Sequence, residues 1–221
     1  MTFSPDWEDC YANNKHLSIW PWTDLVIYVS RYAKRCKGER LSVLELGCGY
    51  GANIPFFQHL EADYYAVEGS STAVNYLKAK FPRFADNIFW GDYTNNIPFE
   101  LSFDIIVDRA SLPFNDISSI NKTLSICYDK LHDKGLFIGI DWYSPDHSEF
   151  MNGQPTIDPF TRANFTDGIF AGTGNVHFFS HDHLTALFMR YRMLVLEHKL
   201  VEQRIPDSSY KFAAWNFVAQ K

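Results

Sequence analysis

The sequence is short of basic residues, of paired cysteines and of long apolar runs, and each shortage removes a class of protein. Its 20 lysines and arginines face 26 aspartates and glutamates, for a formal charge of -6. A nucleic-acid partner calls for a basic stripe, so none is expected. The nearest approach to such a stripe is Arg31, Lys34, Arg35, Lys37 and Arg40, at the end of an expected helix and in the loop after it, and it reads as a solvated face. The four cysteines, Cys10, Cys36, Cys48 and Cys127, form no Cys-x-x-Cys pair, which argues against a disulfide framework and against a metal site. No apolar run approaches the ~18 residues that a spanning helix needs, and residues 1–14 are acidic and aromatic rather than basic and then apolar. The expectation is a reduced, cytoplasmic protein with no membrane partner.

What is present is a large apolar and aromatic content, 46% and 17% of 221 residues, enough for a sizeable core in one domain. The most informative stretch is Val43-Leu44-Glu45-Leu46-Gly47-Cys48-Gly49-Tyr50-Gly51, an apolar run that ends in an acid and then in three glycines at alternate positions. It reads as a strand turning sharply into a helix, through a loop whose backbone lies directly against a ligand.

Around it the pattern alternates between strand and helix. Residues 21–37 have apolar side chains at Leu25, Val26, Tyr28, Val29 and Tyr32, a helical spacing, with Pro21 suited to the first turn and Gly38 to the end. Strands are expected at 41–46, 64–67, 88–90, 103–107 and 135–140, with helices at 52–60, 71–80 and 117–131 between them. Glu68, Asp108 and Asp141 stand at the ends of three of these strands. Residues 142–180, rich in Gly, Pro, Asp and Phe, are far longer than an ordinary connection of about 4–6 residues and read as a functional flap. A helix capped by Ser180 and a closing hairpin of strands at 193–200 and 210–218 complete the chain. Such alternation predicts an α/β fold, a doubly wound and mostly parallel sheet with a C-terminal antiparallel hairpin, whose ligands bind beyond the carboxyl ends of the strands.

The glycine pattern with Ala52 and Glu68 could almost serve a nicotinamide dinucleotide, which keeps an oxidoreductase as an alternative. Glu45 opposes it, because a carboxylate beside a pyrophosphate costs Coulomb energy, whereas beside an ammonium group it is favourable. S-adenosylmethionine carries that ammonium and no phosphate. Here the sequence resembles the class I S-adenosylmethionine-dependent methyltransferases over most of its length. Glu45-Leu-Gly47-Cys-Gly49-Tyr-Gly51 looks like their first motif, Ala66-Val67-Glu68-Gly69-Ser70 like the second-strand motif, and Gly91-Asp92-Tyr93 like the segment that meets the adenine. Phe103-Asp-Ile-Ile-Val-Asp108 is similar to their fourth strand, and Leu131-His-Asp-Lys-Gly135-Leu-Phe to the lead into the fifth.

The resemblance implies a Rossmann-like, seven-stranded sheet in a single domain, with residues 1–40 as lid and helix, 41–141 as cofactor-binding core, 142–180 as substrate flap and 181–221 as the final helix and hairpin. It implies that Gly47, Cys48, Gly49 and Gly51 lie against the methionine part of S-adenosyl-L-methionine, with Glu45 toward its ammonium group. Glu68, followed by Gly69, would accept both ribose hydroxyls, and Asp92 and Tyr93 would meet the adenine. Asp108 would lie beside the cofactor.

Methyl transfer requires the acceptor to be held in line with the sulfur-methyl bond and water to be kept out. A general base helps where the acceptor is a hydroxyl or an ammonium, and Asp108, Asp141 and His177 are the candidates, each with a bland alternative as a loop cap or a packed core residue. His147 falls in the flap and reads as exposed. His181-Asp182-His183 sits at a helix start, where side chains two apart diverge and cannot share an ion. The segment Asp108-Arg109-Ala110-Ser111 lacks the Asn/Asp-Pro-Pro-aromatic run of many DNA and protein amide methyltransferases, which again disfavours nucleic acid. A small-molecule acceptor is expected, enclosed by the flap and by His16-Leu-Ser18-Ile-Trp20-Pro-Trp22-Thr-Asp24. That segment resembles the lead of bacterial surface-sugar methyltransferases, implying a sugar or nucleotide-sugar oxygen or nitrogen as acceptor. A protein that binds the cofactor without chemistry is a further alternative.

Overall fold

The computed structural model describes residues 5–13, 15, 18–33 and 39–221. His16, Leu17, Lys34, Arg35, Lys37 and Gly38, which figure in the expectations above, lie outside the described residues. Helices α1 (Pro5–Ala12) and α2 (Thr23–Tyr32) precede strand β1 (Ser42–Leu46). Then come α3 (Ile54–His59), β2 (Asp63–Glu68), α4 (Ser71–Lys80), β3 (Ile88–Trp90), β4 (Phe103–Arg109), α5 (Ile117–Lys130) and β5 (Leu131–Tyr143). Three short strands, β6 (Gln154–Pro155), β7 (Thr161–Ala163) and β8 (Val176–His177), lead to α6 (His181–Leu187), β9 (Arg192–Glu202) and β10 (Lys211–Gln220).

The main sheet has seven strands in the order β3-β2-β1-β4-β5-β10-β9, parallel except for β10, which runs antiparallel to both of its neighbours. Its inner strands are apolar on both faces because both are covered. Val43, Ile105 and Ile138 join Leu25, Phe57 and Leu77 in one core, and their chain neighbours Leu44, Ile106 and Phe137 join Leu124, Leu184 and Phe188 in the other. This is the period-two alternation of a strand, read out as two layers of helix. Ser70 caps α4 by accepting from the Ala73 N–H at 3.1 Å, and Asp116 caps α5 by accepting from the Ser119 N–H at 2.8 Å. Each satisfies a helical N–H that has no partner in its own helix.

Two expectations are corrected. The fifth strand does not stop at Ile140: it runs on to Tyr143, with Trp142 and Tyr143 paired to Trp215 and Ala214. Asp141 stays in the strand at φ 56° because Asn216, at an irregularity in β10, accepts its N–H at 2.8 Å. The segment after it, expected as a functional flap, carries structure of its own. β6, β7 and β8 form a second, three-stranded sheet, held by a core of its own in which Phe165, Phe170, Val176 and Phe178 pack on Tyr143 and Ala214. Loop-like composition concealed this because the phenylalanines that build the core follow no strand or helix period. His147 is 2% exposed rather than in solvent, ringed by Tyr143, Phe170 and Phe212.

Candidate functional site

The strand order reverses at β1, whose neighbours β2 and β4 are reached by connections leaving in opposite directions, and a crevice opens there beyond the strand ends. It holds a cavity of about 340 Å³, at the small end of ligand pockets. The glycine loop forms its floor. Gly47 has φ +61°, and a Cβ there would sit 1.9 Å from Ser111 Oγ, so the close approach requires a residue without a side chain. Cys48, Gly49 and Gly69 also line the cavity. Gly51, expected to lie against the cofactor, does not: a Cβ on it would strike Leu77 and Ile54, so the missing side chain makes room for helix packing.

Two buried carboxylates line the wall. Glu45, 2% exposed, accepts from Asn53 Nδ2 at 2.8 Å and from the Tyr64 hydroxyl at 2.6 Å. Burial pushes its pKa up to about 7 against the pull of those two bonds. Glu68, 3% exposed, accepts from the N–H of Gly49 at 2.8 Å on one oxygen and from that of Ser70 at 2.9 Å on the other, and burial raises its pKa as well. A carboxylate with two acceptor oxygens is the complement of a two-donor diol. Asp92 and Tyr93 are on the wall too. Asp92 accepts from the Thr94 N–H and Asn95 Nδ2, and the Tyr93 hydroxyl bonds Ser111 and Asn115.

A lid closes over the floor. Trp7 and Tyr11 of α1 line the cavity, and Tyr50 ties α1 down by donating to the Tyr11 carbonyl at 2.9 Å. Ser18 and Trp22 also line it, but Trp20 is 75% exposed and outside. The Trp22 N–H donates to Asn53 Oδ1 at 3.2 Å, which connects the lid through Asn53 to Glu45.

The other half of the cavity is aromatic. Phe114, Tyr143, Ile169, Phe170 and Phe212 form its wall, with Arg109 at the end of β4. The guanidinium carbon lies 3.5 Å from the centroid of the Trp22 ring, and Nη2 donates to Asp141 at 3.1 Å. Lys199 pairs the other Asp141 oxygen at 3.3 Å and Asp24 at 2.8 Å.

None of the three expected bases, Asp108, Asp141 and His177, is among the described residues that line this cavity. Asp108, fully buried, accepts from the Leu112 N–H at 2.9 Å and Trp142 Nε1 at 2.7 Å, and burial pushes its pKa up to about 7; it does not line the cavity. Asp141, 2% exposed, touches the site only through Arg109. His177 is fully buried on β8, with Nδ1 at 2.7 Å from the Thr161 hydroxyl and Nε2 at 2.9 Å from His183, and burial draws its pKa down to about 4. Among residues that the sequence did not single out, Trp7, Tyr11, Asn53, Arg109, Tyr143, Phe170 and Phe212 form much of the wall. Only Arg109 carried a usable signal, a charge directly after a strand-end acid.

An open α/β sheet with a glycine floor and strand-end carboxylates defines a protein that binds a nucleoside-containing cofactor at its switch point. Residues 43–135 match a family model described as a methyltransferase domain, and no curated protein matches the chain. Among solved structures, a fold like this one occurs in the N-methyltransferase NodS of Bradyrhizobium japonicum in complex with S-adenosylhomocysteine, at 12% identity and TM-score 0.67, covering 100% of this chain and 99% of that one. It occurs also in the Burkholderia thailandensis 1,6-didemethyltoxoflavin-N1-methyltransferase, at 15% identity and TM-score 0.65, covering 98% and 85%. A Methanosarcina mazei S-adenosylmethionine-dependent methyltransferase matches at 16% identity and TM-score 0.68, covering 93% and 99%. The family match covers under half of the chain and the solved structures share its fold; the cofactor against which the crevice is to be tested is S-adenosyl-L-methionine. The crevice fits that group, with a cradle only glycine can floor and acids suited to an ammonium and a diol. Among the described residues no helix is long and apolar enough to cross a membrane.

Proposed function

We propose that the protein transfers a methyl group to a small molecule held in the aromatic half of the cavity. The carrying observation is the division of one 340 Å³ space into a glycine-and-carboxylate half and an aromatic half that meet at Arg109 and Ser111. Bound S-adenosylmethionine supplies an electrophilic methyl carbon: the acceptor's lone pair forms the new bond and sulfur keeps the pair of the bond that breaks. The chain's own residues then have three tasks. Gly47 and Gly49 let the cofactor lie on the backbone, Glu45 faces its ammonium group, and Glu68 takes the ribose diol. Asp92 and Tyr93 border the adenine. Trp7, Tyr11 and Trp22 cover the site and keep water out.

The toxoflavin enzyme, named for methylation of the small molecule 1,6-didemethyltoxoflavin and of the same fold, supports a small-molecule acceptor. A sugar or nucleotide sugar is the finer reading suggested by the tryptophan-rich lead, but Trp20 is outside the cavity and one face of Trp22 is taken by Arg109. We therefore place a compact apolar acceptor ahead of a nucleotide sugar.

Calorimetric titration with S-adenosylmethionine, S-adenosylhomocysteine and NAD, on the wild type and on Glu68→Gln, tests the cofactor half. Both S-adenosyl compounds should bind and NAD should not, with the variant weakened by about tenfold or more through loss of a charge-assisted acceptor. Binding of NAD alone would overturn the reading. Methyl transfer to any member of an acceptor screen excludes a silent binding protein.

A further inference from the structure

Resting on that reading, the acceptor half also defines the charge of what it holds. Arg109 is the one cationic side chain among the described residues lining the cavity. Among the described residues only one of its five N–H donors, on Nη2, has a protein acceptor, and Nε is buried with none. The side chain remains 22% exposed at the wall. It is pinned by the Trp22 ring at 3.5 Å and by Asp141 at 3.1 Å, so a ligand meets a fork already oriented and little further order is required on binding. Lys199 shares Asp141 at 3.3 Å, which leaves that carboxylate committed to two cations.

Tyr143 stands beside the fork. It is 7% exposed, lines the same cavity, and its hydroxyl makes no hydrogen bond among the described residues. Burial keeps the phenol neutral, hence a donor as well as an acceptor. The remaining walls, Phe114, Ile169, Phe170 and Phe212, hold no group that takes a proton, and the Thr173 hydroxyl is committed to the Phe170 carbonyl at 2.8 Å. This half therefore offers donors to an oxygen and no free base. An acceptor that must be deprotonated in the site has nowhere to leave its proton. One that arrives as an anion needs no base, and transfer turns its charged oxygen into a neutral methyl ester or ether, with no proton moved.

We propose that Arg109 and Tyr143 form the recognition point for an anionic oxygen, and that the methyl acceptor is a small, largely apolar acid, a carboxylate or an ionised hydroxyl, rather than an amine. An ammonium would face the guanidinium, and a neutral amide would leave its charge unanswered.

The test is calorimetric titration of the full chain, saturated with S-adenosylhomocysteine, with benzoate, benzamide and benzylamine as probes of one shape and three charges. Benzoate should bind about tenfold or more tighter than benzamide, the size of a charge-assisted bond pair, and benzylamine should not bind. Arg109→Met should abolish the preference while holding S-adenosylhomocysteine affinity within about twofold. Tyr143→Phe should cost benzoate about threefold, and keeps the question open to measurement if the arginine variant does not fold. Equal binding of benzoate and benzamide, preference for benzylamine, or failure of benzoate at millimolar concentration overturns the inference. So does an Arg109→Met variant that loses S-adenosylhomocysteine instead, since the guanidinium would then serve the cofactor's own carboxylate. If the wild type fails to bind S-adenosylhomocysteine, the cofactor reading fails separately, and the benzoate-to-benzamide ratio without cofactor still decides the role of Arg109.

Discussion

The two halves of the cavity are built by opposite means. The cofactor half comes from one stretch, residues 45 to 93, and uses backbone: glycines at positive φ, carboxylates fixed by N–H groups, and side chains next to strand ends. The acceptor half is assembled from Arg109, Phe114, Tyr143, Phe170 and Phe212, which belong to five separate segments and meet only through packing. A ligand common to a large family can be held by a local backbone device. A ligand particular to one protein is met by side chains that can vary without disturbing the sheet.

The sharpest way to break this contrast is Gly47→Ala. With φ +61° and a Cβ 1.9 Å from Ser111 Oγ, it should cost about 2–3 kcal/mol and weaken S-adenosylhomocysteine about 100-fold by calorimetry. Phe212→Leu in the other half should leave that affinity within about twofold. If both variants hurt cofactor binding equally, the division into halves is wrong.

Next in size is a pH effect confined to the cofactor half. Glu45 has a pKa of about 7 when free, and a cationic ammonium group binds its ionised form. S-adenosylhomocysteine affinity should therefore fall as pH drops below 7, by up to about tenfold per pH unit, and be flat above it. Glu45→Gln should remove the slope, read by titrations at pH 5.5 to 8.5.

Trp22 joins the halves, its N–H on Asn53 and its ring on Arg109. Trp22→Ala should weaken benzoate about fivefold through loss of the cation–π contact, and S-adenosylhomocysteine less than about twofold because the backbone bond remains. A larger effect on the cofactor would show that the indole mainly closes the lid.

The smallest effect separates the halves by stability. Burial draws His147 and His177 down to about 4, so below the ordinary histidine pKa of 6.5 the unfolded chain takes up protons that the folded one refuses, and their contribution is lost as pH falls from 6.5 towards 4. Glu45 and Asp108, raised to about 7, act with the opposite sign: the stability they favour is present below about 4.5 and lost as pH rises towards 7. His147→Phe should flatten the acid side of a Tm-against-pH curve, and Asp108→Asn the neutral side.

The sequence by itself determined the glycine-and-carboxylate half of the cavity, since strand, glycine loop and strand-end acid are neighbours in the chain. The 3.8 Å step between residues confines what Gly47, Gly49 and Glu68 can do to nearly one arrangement. It also determined the cap at Ser180, whose side chain accepts from an N–H three residues on. It did not show that Gly51, which has the right spacing, faces Leu77, or that Asp108 and Asp141, both within their strands rather than at the ends, lie off the cavity wall. Which side of a strand end faces a cavity depends on neighbouring strands and on Asn216, 75 residues beyond Asp141. The acceptor half was decided by tertiary structure alone: the meeting of Arg109, Trp22, Tyr143 and Phe212 depends on how lid, second sheet and final hairpin pack together. Packing of that kind leaves no period in the sequence, because apolar contact is non-directional and takes its partners from any distance along the chain.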